Sequence, residues 1–304
     1  MLVNVEENTF LGAVQQLSKM VRQEVFFGHL RLFVFSEAVA TEDWRLLTDE
    51  LMRNADLNRL TQLALAKGVN ARELMSINPP LSPTLSAFII GIMQKNGTPP
   101  VANLTALWEF YRDTITPGRE AGVLGVGIES GQLSIYGSAL FRDGRLVGWL
   151  DNTETVGFTI LKNDLNRATF ETGDSDDPWV FRNVTAKADM KARITDGKLV
   201  LALDIRADAS LGKKPQKEVS NNTLLLTNQA GRELQQELKT IVAAALARMQ
   251  LFGADIADLG RQVRFQMPAE WRINKWDTNW PAAFSAAELE VKVTVIVRRK
   301  GLLR

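Results

Sequence analysis

A strict alternation of apolar and polar residues runs from position 184 to position 195 and leaves little choice of local structure. The apolar members are Val184, Ala186, Ala188, Met190, Ala192 and Ile194. A two-residue period places them on one face of a β-strand and the intervening charged residues on the other. Asp196-Gly197 then predicts a tight turn, after which residues 199–205 continue the pattern. The sequence therefore predicts a two-stranded antiparallel ribbon whose apolar face another element must cover.

A long amphipathic helix is the predicted cover. Segment 228–252 carries apolar residues at helical spacing, with Thr227 as its predicted N-cap and Gly253 as its predicted C-cap. About 25 residues at roughly 1.5 Å each make a helix long enough to cross a whole sheet. The alternating strand 289–297 is predicted to complete that sheet. Residues 181–304 should therefore form a C-terminal domain with one long helix across an antiparallel sheet.

The earlier part of the chain divides into two further predicted domains. Residues 1–118 alternate helical and strand patterns, which predicts an α/β-type N-terminal domain, and the apolar run 29–35 predicts a strand buried on both faces. Residues 119–180 are rich in glycine and β-forming residues, and Asp143-Gly144 predicts a hairpin tip. The boundary is placed near Arg119. The predicted fold class is α+β, with consecutive small domains, each a mixed or antiparallel sheet with helices packed on it.

Composition excludes several kinds of functional site. The chain has 304 residues, with no cysteine and one histidine. Thiolate zinc sites, cysteine nucleophiles and two-histidine metal motifs are therefore impossible. A formal net charge of +1 provides no global field that would collect nucleic acid. We predict no catalytic residue, no cofactor, no bound metal and no nucleic-acid partner.

The single histidine, His29, directly follows Gly28 at the start of a predicted strand. A catalytic imidazole needs a nucleophile or a carboxylate brought close by the fold, and the sequence pattern supplies neither. His29 is therefore interpreted as a structural residue, hydrogen-bonded at a strand start. The glycine-rich stretch 122–131 lacks the strand–turn–helix context of a phosphate-binding loop.

Three closely spaced tryptophans, Trp271, Trp276 and Trp280, form the candidate partner surface. They either pack a long connection onto the domain core or recognise a partner, and their exposure separates the two hypotheses. The C-terminus is basic, which is typical of a solvated edge strand, and contact with lipid headgroups is the alternative. Its basic residues are Lys292, Arg298, Arg299, Lys300 and Arg304.

Several separated stretches share a pattern with one known family. In chain order they are 28–31 (GHLR), 36–40 (SEAVA), 136–150 (YGSALFRDGRLVGWL), 154–158 (ETVGF), 250–255 (QLFGAD), 268–271 (PAEW) and 299–302 (RKGL). The hairpin segment 136–150 is the most specific of them. On these segments the chain resembles the Ger(x)C family, the C subunits of the nutrient receptors of spore germination.

The resemblance implies a non-enzymatic, membrane-associated lipoprotein on the outer face of the spore inner membrane, built from three small α+β units. Such a subunit is expected to work with integral-membrane A and B subunits to turn nutrient detection into germination. Family members begin with a signal peptide and a lipid-bearing cysteine. The chain as given has neither, which an upstream start, trimming for study or gene decay would each explain. It is therefore expected to be soluble and to leave an unpaired sheet edge near residues 29–35.

Two function hypotheses of different classes follow. The first is an adaptor subunit that docks on membrane-embedded A and B subunits and relays a signal by contact. The second is a small-molecule binding protein that senses a nutrient in a cleft between domains. A hydrolase or transferase ranks third, because only carboxylate, serine, threonine or lysine chemistry remains and no motif for it appears.

Overall fold

Two β-sheets organise the chain. The computed structural model describes residues 3–7, 9–22, 26–77, 79, 82–93, 104–216, 218 and 223–298. The first sheet contains β1 (Leu32–Ser36), β2 (Gln62–Ala66), β3 (Thr105–Ala106), β4 (Gly122–Glu129), β5 (Gln132–Arg142) and β6 (Arg145–Leu150). The second contains β7 (Ala168–Thr172), β8 (Trp179–Thr195), β9 (Lys198–Lys213) and β10 (Glu288–Arg298).

Helices precede, connect and cover these strands. Those of the first part are α1 (Phe10–Met20), α2 (Glu37–Ala40), α3 (Trp44–Arg53), α4 (Ala71–Ser76), α5 (Leu85–Met93) and α6 (Leu107–Ile115). Helix α7 (Asn152–Leu161) connects the two sheets. Between β9 and β10 lie α8 (Thr223–Phe252), α9 (Leu259–Gln266), α10 (Pro268–Ile273) and α11 (Trp276–Ala286).

The first sheet has the strand order β1-β2-β4-β5-β6, with β3 antiparallel to β2. Strands β1, β2 and β4 run parallel, whereas β4, β5 and β6 form an antiparallel meander. The predicted hairpin tip is confirmed, because Asp143 and Gly144 have φ values of 51° and 74°, as a type I′ turn requires. The sheet joins strands from both sides of Arg119, and the three-domain division stays a prediction.

Strand β1 lies at the edge of the first sheet, beside β2. Within the described residues no strand pairs with its outer edge. The strand begins at Leu32 rather than at His29, because residues 27–29 form a short 3-10 helix. The prediction of burial on both faces is wrong for this strand, where Phe35 alone is fully buried. Because β1 is the edge strand, no further strand shields its residues on the outer side, and most of them stay partly exposed.

Both faces of the first sheet carry a packed core. On one face, Trp44, Phe110 and Phe141 are buried with ring centroids 5.0, 5.2 and 5.4 Å apart. Tilted and edge-to-face pairs of this kind add stability beyond their buried area. On the opposite face, Leu74 from α4 and Ile89 from α5 pack against the strands. The sheet is therefore a filled layer.

The second sheet has the strand order β10-β9-β8-β7. The predicted ribbon is confirmed as β8 and β9, and its turn residues Asp196 and Gly197 have φ values of 51° and 76°. Strand β10 completes the sheet but pairs with β9 in parallel, which departs from the antiparallel prediction. The physical reason is the connection, since the crossover through α8 returns the chain to the end of the sheet where β9 began.

Helix α8 covers one face of the second sheet, and its buried stripe is the one that the periodicity predicts, except that Phe252 at the end of the predicted stripe is half-buried. The stripe comprises Leu234, Leu238, Ile241, Val242, Ala245, Leu246 and Met249. The helix ends at Phe252, where Gly253 adopts a φ of 61° as predicted for its C-cap. It begins at Thr223, so the N-cap prediction for Thr227 is wrong. Periodicity marks only the buried part of a helix, and Leu224 and Leu225 extend this one while 68% and 59% exposed.

Candidate functional site

The three predicted tryptophans lie together inside the protein. Trp271 from α10 and Trp276 and Trp280 from α11 are 3%, 7% and 2% exposed. Trp271 stacks on Trp280 at 5.3 Å between ring centroids, and Trp276 contacts both rings edge-on at 6.0 and 6.1 Å. The solvent exposure of these three side chains separates core packing from partner recognition, and all three are buried. The structure therefore favours core packing, and it leaves the hypothesis of a partner surface made by these indoles without support.

Asp255 anchors this tryptophan cluster to the start of α9. Its carboxylate is fully buried and accepts hydrogen bonds from the backbone N–H groups of Leu259 and Gly260, at 3.1 and 2.6 Å. The indole N–H of Trp280 donates a third bond at 2.9 Å. Burial raises the pKa of Asp255 to about 6, against the lowering effect of these three donors. In the sequence, Asp255 stood out only as the last residue of segment 250–255.

Arg119 joins the two halves of the molecule at the place where the sequence predicted a boundary. Its guanidinium binds the carboxylate of Asp258 through two hydrogen bonds, one of them 2.7 Å from Nη2 to Oδ2. A further bond of 2.9 Å reaches Asp113 at the end of α6. The side chains of all three residues are 11–12% exposed. This junction links the chain just before β4 to the residue just before α9, and sequence reasoning missed it.

Glu120, next to Arg119, is a buried carboxyl group at the same junction. Its Oε2 accepts a hydrogen bond of 3.2 Å from the backbone N–H of Asp143. Burial raises the pKa of Glu120 to about 8, and the nearby carboxylates of Asp143 and Asp255 act in the same direction. The residue lines a cavity of about 330 Å³ that Asp143 and Asp277 also border. The junction therefore contains one strong ion-pair network and one carboxyl group that burial keeps protonated near neutral pH.

His29 is exposed, and its role as a structural residue hydrogen-bonded at a strand start stays a prediction. It ends the short 3-10 helix before β1, and its ring contacts the ring of Phe26 edge-on, with centroids 5.2 Å apart. No carboxylate of the described residues lies within ion-pair distance of it. His29 borders an apolar groove of about 840 Å³ along β1, together with Phe10 and Phe27.

The remaining predicted features are surface features. Arg298 is exposed and pairs with Asp208 at 3.0 Å, and Lys292 is exposed on the same strand, β10. Arg299, Lys300 and Arg304 lie outside the described residues. Across the part of the chain that the structure describes, no three side chains are grouped in a way that could hold a metal ion. No described helix combines the length and the apolar character needed to cross a bilayer.

Fold and site together define the class of protein. It is an α+β protein in which a charged junction connects two helix-covered sheets. The carboxylates of that junction contact backbone amides, an indole or a guanidinium. Comparison with known families makes the class specific. Residues 2–126 match the spore germination protein N-terminal domain, and residues 136–301 match the C-terminal domain described as spore germination B3/GerAC like.

The second match alone covers more than half of the chain. The protein therefore belongs to the spore germination B3/GerAC-like family, the C subunits of germinant receptors, and the resemblance described from the sequence is confirmed. The crystal structure of the GerBC protein is similar, with a TM-score of 0.67 and 20% sequence identity over 94% of this chain and 84% of that chain. This likeness shows a shared fold and confirms the α+β class. No curated protein sequence matches the chain.

Proposed function

We propose that this protein is a non-catalytic adaptor subunit of a germinant receptor. Its partners would be the integral-membrane A and B subunits, and its location the outer face of the spore inner membrane. Family membership carries the proposal, because the two matched regions extend over most of the chain. An adaptor relays a signal through contacts between surfaces and requires no bond chemistry.

The contacts that the buried carboxylates make support this proposal. Asp255 holds the start of α9, and Asp258 with Asp113 neutralises Arg119. Glu154 is also buried; it closes a capping box at the start of α7 and pairs with Arg248 at 3.0 Å. A general acid or base must instead reach a reacting group on a substrate. These carboxylates are committed to holding elements of the fold together.

The charged junction supports a relay by contact in a second way. Arg119 and Asp258 fix the entry to β4 against the start of α9, so the two sheets are joined by more than the single chain connection through α7. A displacement imposed on one sheet is thereby passed to the other. An adaptor between two partners needs this mechanical continuity.

The alternative is direct sensing of a nutrient in a cleft. The cavity of about 330 Å³ at the junction is the observation in its favour, since Glu120, Asp143 and Asp277 would offer carboxylates to a polar ligand. That volume lies at the lower limit of ordinary small-molecule sites, which begin near roughly 300 Å³.

Co-purification tests the adaptor function. The tagged chain, supplied with a lipid anchor at its N-terminus, is expressed with A and B subunits and isolated in mild detergent. We expect both subunits to be retained. The matched control is Leu246→Asp, which places a charge in the fully buried stripe of α8 and should abolish the complex by disrupting the fold. Absence of A and B from the isolated wild-type complex would refute the adaptor function.

Calorimetry of the isolated chain against amino acids and sugars separates the two hypotheses. The adaptor hypothesis predicts no heat of binding without the partner subunits. Saturable heat that disappears in the Glu120→Gln variant would instead assign nutrient sensing to the junction cavity.

A further inference from the structure

Four basic side chains converge on one surface at the end of α9 and around α10. Arg261 and Arg264 lie on α9, Arg272 lies on α10, and Lys275 follows α10. All four line one concavity of about 770 Å³, in which Asp277 is the one carboxylate among the lining residues. The lining therefore carries four positive charges against one negative charge. A concavity of this kind attracts anionic groups.

Most of this positive charge is uncompensated. Arg261 pairs with Asp258 at 2.6 Å. For Arg264, Arg272 and Lys275, no carboxylate of the described residues lies within ion-pair distance. These three side chains are exposed, so their charges face solvent. On the open face of the second sheet, by contrast, Arg193, Lys198 and Arg298 each have a carboxylate partner.

Two large apolar side chains protrude beside these cations. Phe265 is 73% exposed and Ile273 is 78% exposed. Phe265 lines the concavity, where the guanidinium of Arg261 lies 5.7 Å from its ring centroid. Ile273 follows Arg272 at the end of α10. Single exposed apolar residues are ordinary on protein surfaces, but here two of them lie on consecutive helices, Phe265 in the lining of the basic concavity and Ile273 next in sequence to the lining residue Arg272.

We propose that this surface, formed by Arg261, Arg264, Phe265, Arg272, Ile273 and Lys275 and here called the α9–α10 surface, docks on a membrane that contains anionic phospholipid. The basic side chains would contact headgroup phosphates, while Phe265 and Ile273 reach the boundary between headgroups and acyl chains. Interfacial helices combine a basic polar face with large apolar side chains in this way. The negative surface potential of an anionic leaflet attracts each basic residue near it.

The protruding position of the apolar side chains favours lipid over an acidic protein. A protein partner would need preformed pockets to accept Phe265 and Ile273, because protein interfaces are packed as densely as interiors at their centre. A fluid headgroup layer accepts such side chains without a complementary shape. Docking of this kind requires neither an A nor a B subunit, so it can be tested separately from the adaptor function.

Co-sedimentation with vesicles provides the test. We expect the isolated chain to bind vesicles of phosphatidylglycerol mixed with phosphatidylcholine and not to bind vesicles of phosphatidylcholine alone. It should dissociate from the former as the salt concentration is raised. Each basic residue near an anionic leaflet typically contributes about fivefold to binding, so Arg264→Glu with Arg272→Glu should weaken it by about 25-fold or more. The matched control, Lys191→Glu with Lys292→Glu, makes the same change in net charge on the exposed face of the second sheet and should retain binding.

Two substitutions of Phe265 test insertion directly. Phe265→Ser should weaken binding by about tenfold, because the lost apolar contact is a partly buried aromatic ring. In Phe265→Trp, the new indole should be quenched by acyl chains that carry bromine, whereas the neighbouring native tryptophans are buried. Thermal unfolding of every variant should match wild type, since each substituted side chain is exposed. If the double arginine variant unfolds, Lys275→Glu replaces it in the comparison.

Three results would overturn the proposal. Equal binding to both kinds of vesicle would show that anionic lipid is not recognised. Binding retained by the arginine variant would place the contact elsewhere. Loss of binding in the arginine variant, together with no effect of Phe265→Ser and no quenching of the new tryptophan, would exclude insertion of the apolar side chains and leave only an electrostatic contact with the headgroups.

Discussion

Trp149 and Glu37, which lie 112 residues apart, are joined by a hydrogen bond of 3.1 Å from the indole N–H to Oε1. The other carboxylate oxygen of Glu37 accepts a bond of 2.9 Å from the backbone N–H of Gly68. The ammonium group of Lys67 lies 4.5 Å from the centroid of the Trp149 ring. One carboxylate thus ties the chain just after β1 and just after β2 to β6. Both Glu37 and Trp149 belong to segments that carry the family resemblance.

Removing this carboxylate should destabilise the first sheet. Glu37→Ala removes the acceptor of the partly buried indole N–H of Trp149 and of the exposed backbone N–H of Gly68, so we expect a loss of about 1–2 kcal/mol in the free energy of unfolding. Trp149→Phe keeps an aromatic ring but removes the indole N–H and its hydrogen bond, and a loss of about 1 kcal/mol is expected. Urea unfolding measures both. The control Glu42→Ala removes a carboxylate whose side chain is 82% exposed, and its urea midpoint should equal that of the wild type. An unchanged midpoint for Glu37→Ala would contradict the assignment.

Arg119→Ala should be among the most destabilising substitutions of a polar residue. It leaves the carboxylates of Asp258 and Asp113 unpaired at a junction where all three side chains are 11–12% exposed. Breaking a buried ion pair by removing one partner typically costs about 3 kcal/mol. In the double variant Arg119→Ala with Asp258→Asn, part of this loss should be recovered, because the unpaired charge is gone. A double-mutant cycle with no coupling energy would show that the pair does not hold the junction.

Glu120 should make the protein less stable as pH rises. Its pKa is about 8 in the folded protein against 4.5 for an ordinary glutamate, so the folded state retains a proton that the unfolded chain releases. Stability is therefore highest below the unfolded pKa and falls as pH rises from about 4.5 to about 8, by on the order of 4 kcal/mol. Asp255, with a pKa of about 6, adds a smaller loss of stability over a lower pH range.

The variant Glu120→Gln isolates this effect. We expect it to match wild type at about pH 4.5 and to be more stable than wild type at about pH 8, because a neutral amide needs no proton. Chemical unfolding across this range is the measurement. Parallel stability curves for the two proteins would show that Glu120 is not the group responsible.

Two glycines should respond in opposite directions to alanine. At Gly157 in α7, an added Cβ would lie 2.6 Å from the carbonyl oxygen of Ile241 and 2.8 Å from the Cβ of Ala245, so the substitution pushes α7 away from α8. A loss of about 1–3 kcal/mol is expected from overpacking. At Gly91 in α5 an added Cβ meets nothing within 4 Å, and alanine should stabilise by about 0.5–1 kcal/mol. Equal melting temperatures for the two variants would be incompatible with this geometry.

Hydrogen exchange should be faster in the N-terminal part of the chain than in the C-terminal part. Helix α1 has no buried residue, and β1 is an edge strand, whereas α8 buries a continuous stripe on the second sheet. Exchange follows local opening, which is easiest where few apolar contacts must break. Mass spectrometry on proteolytic fragments measures the difference, and uniform protection along the chain would contradict it.

Much of the local structure could be predicted because its signals involve neighbouring residues. The alternation from Val184 to Ile205, the turn at Asp196-Gly197 and the stripe of α8 are periodic patterns that operate over a few residues at a time. The end of α8 at Gly253 was likewise visible, since glycine accepts a positive φ at little cost. Absence of cysteine and the single histidine excluded whole classes of site without any structure.

The candidate site depended on relationships that no local pattern contains. Glu37 meets Trp149, and Arg119 meets Asp258 across 139 residues, only because the strand order of the sheets brings them together. The same three tryptophans fit a core or a surface equally well until the packing of α10 and α11 is known. The sequence by itself determined which elements form and which chemistries are impossible, because these follow from residue type and spacing. The tertiary structure alone decided which polar groups are buried and what they contact, because burial depends on every element that packs around them.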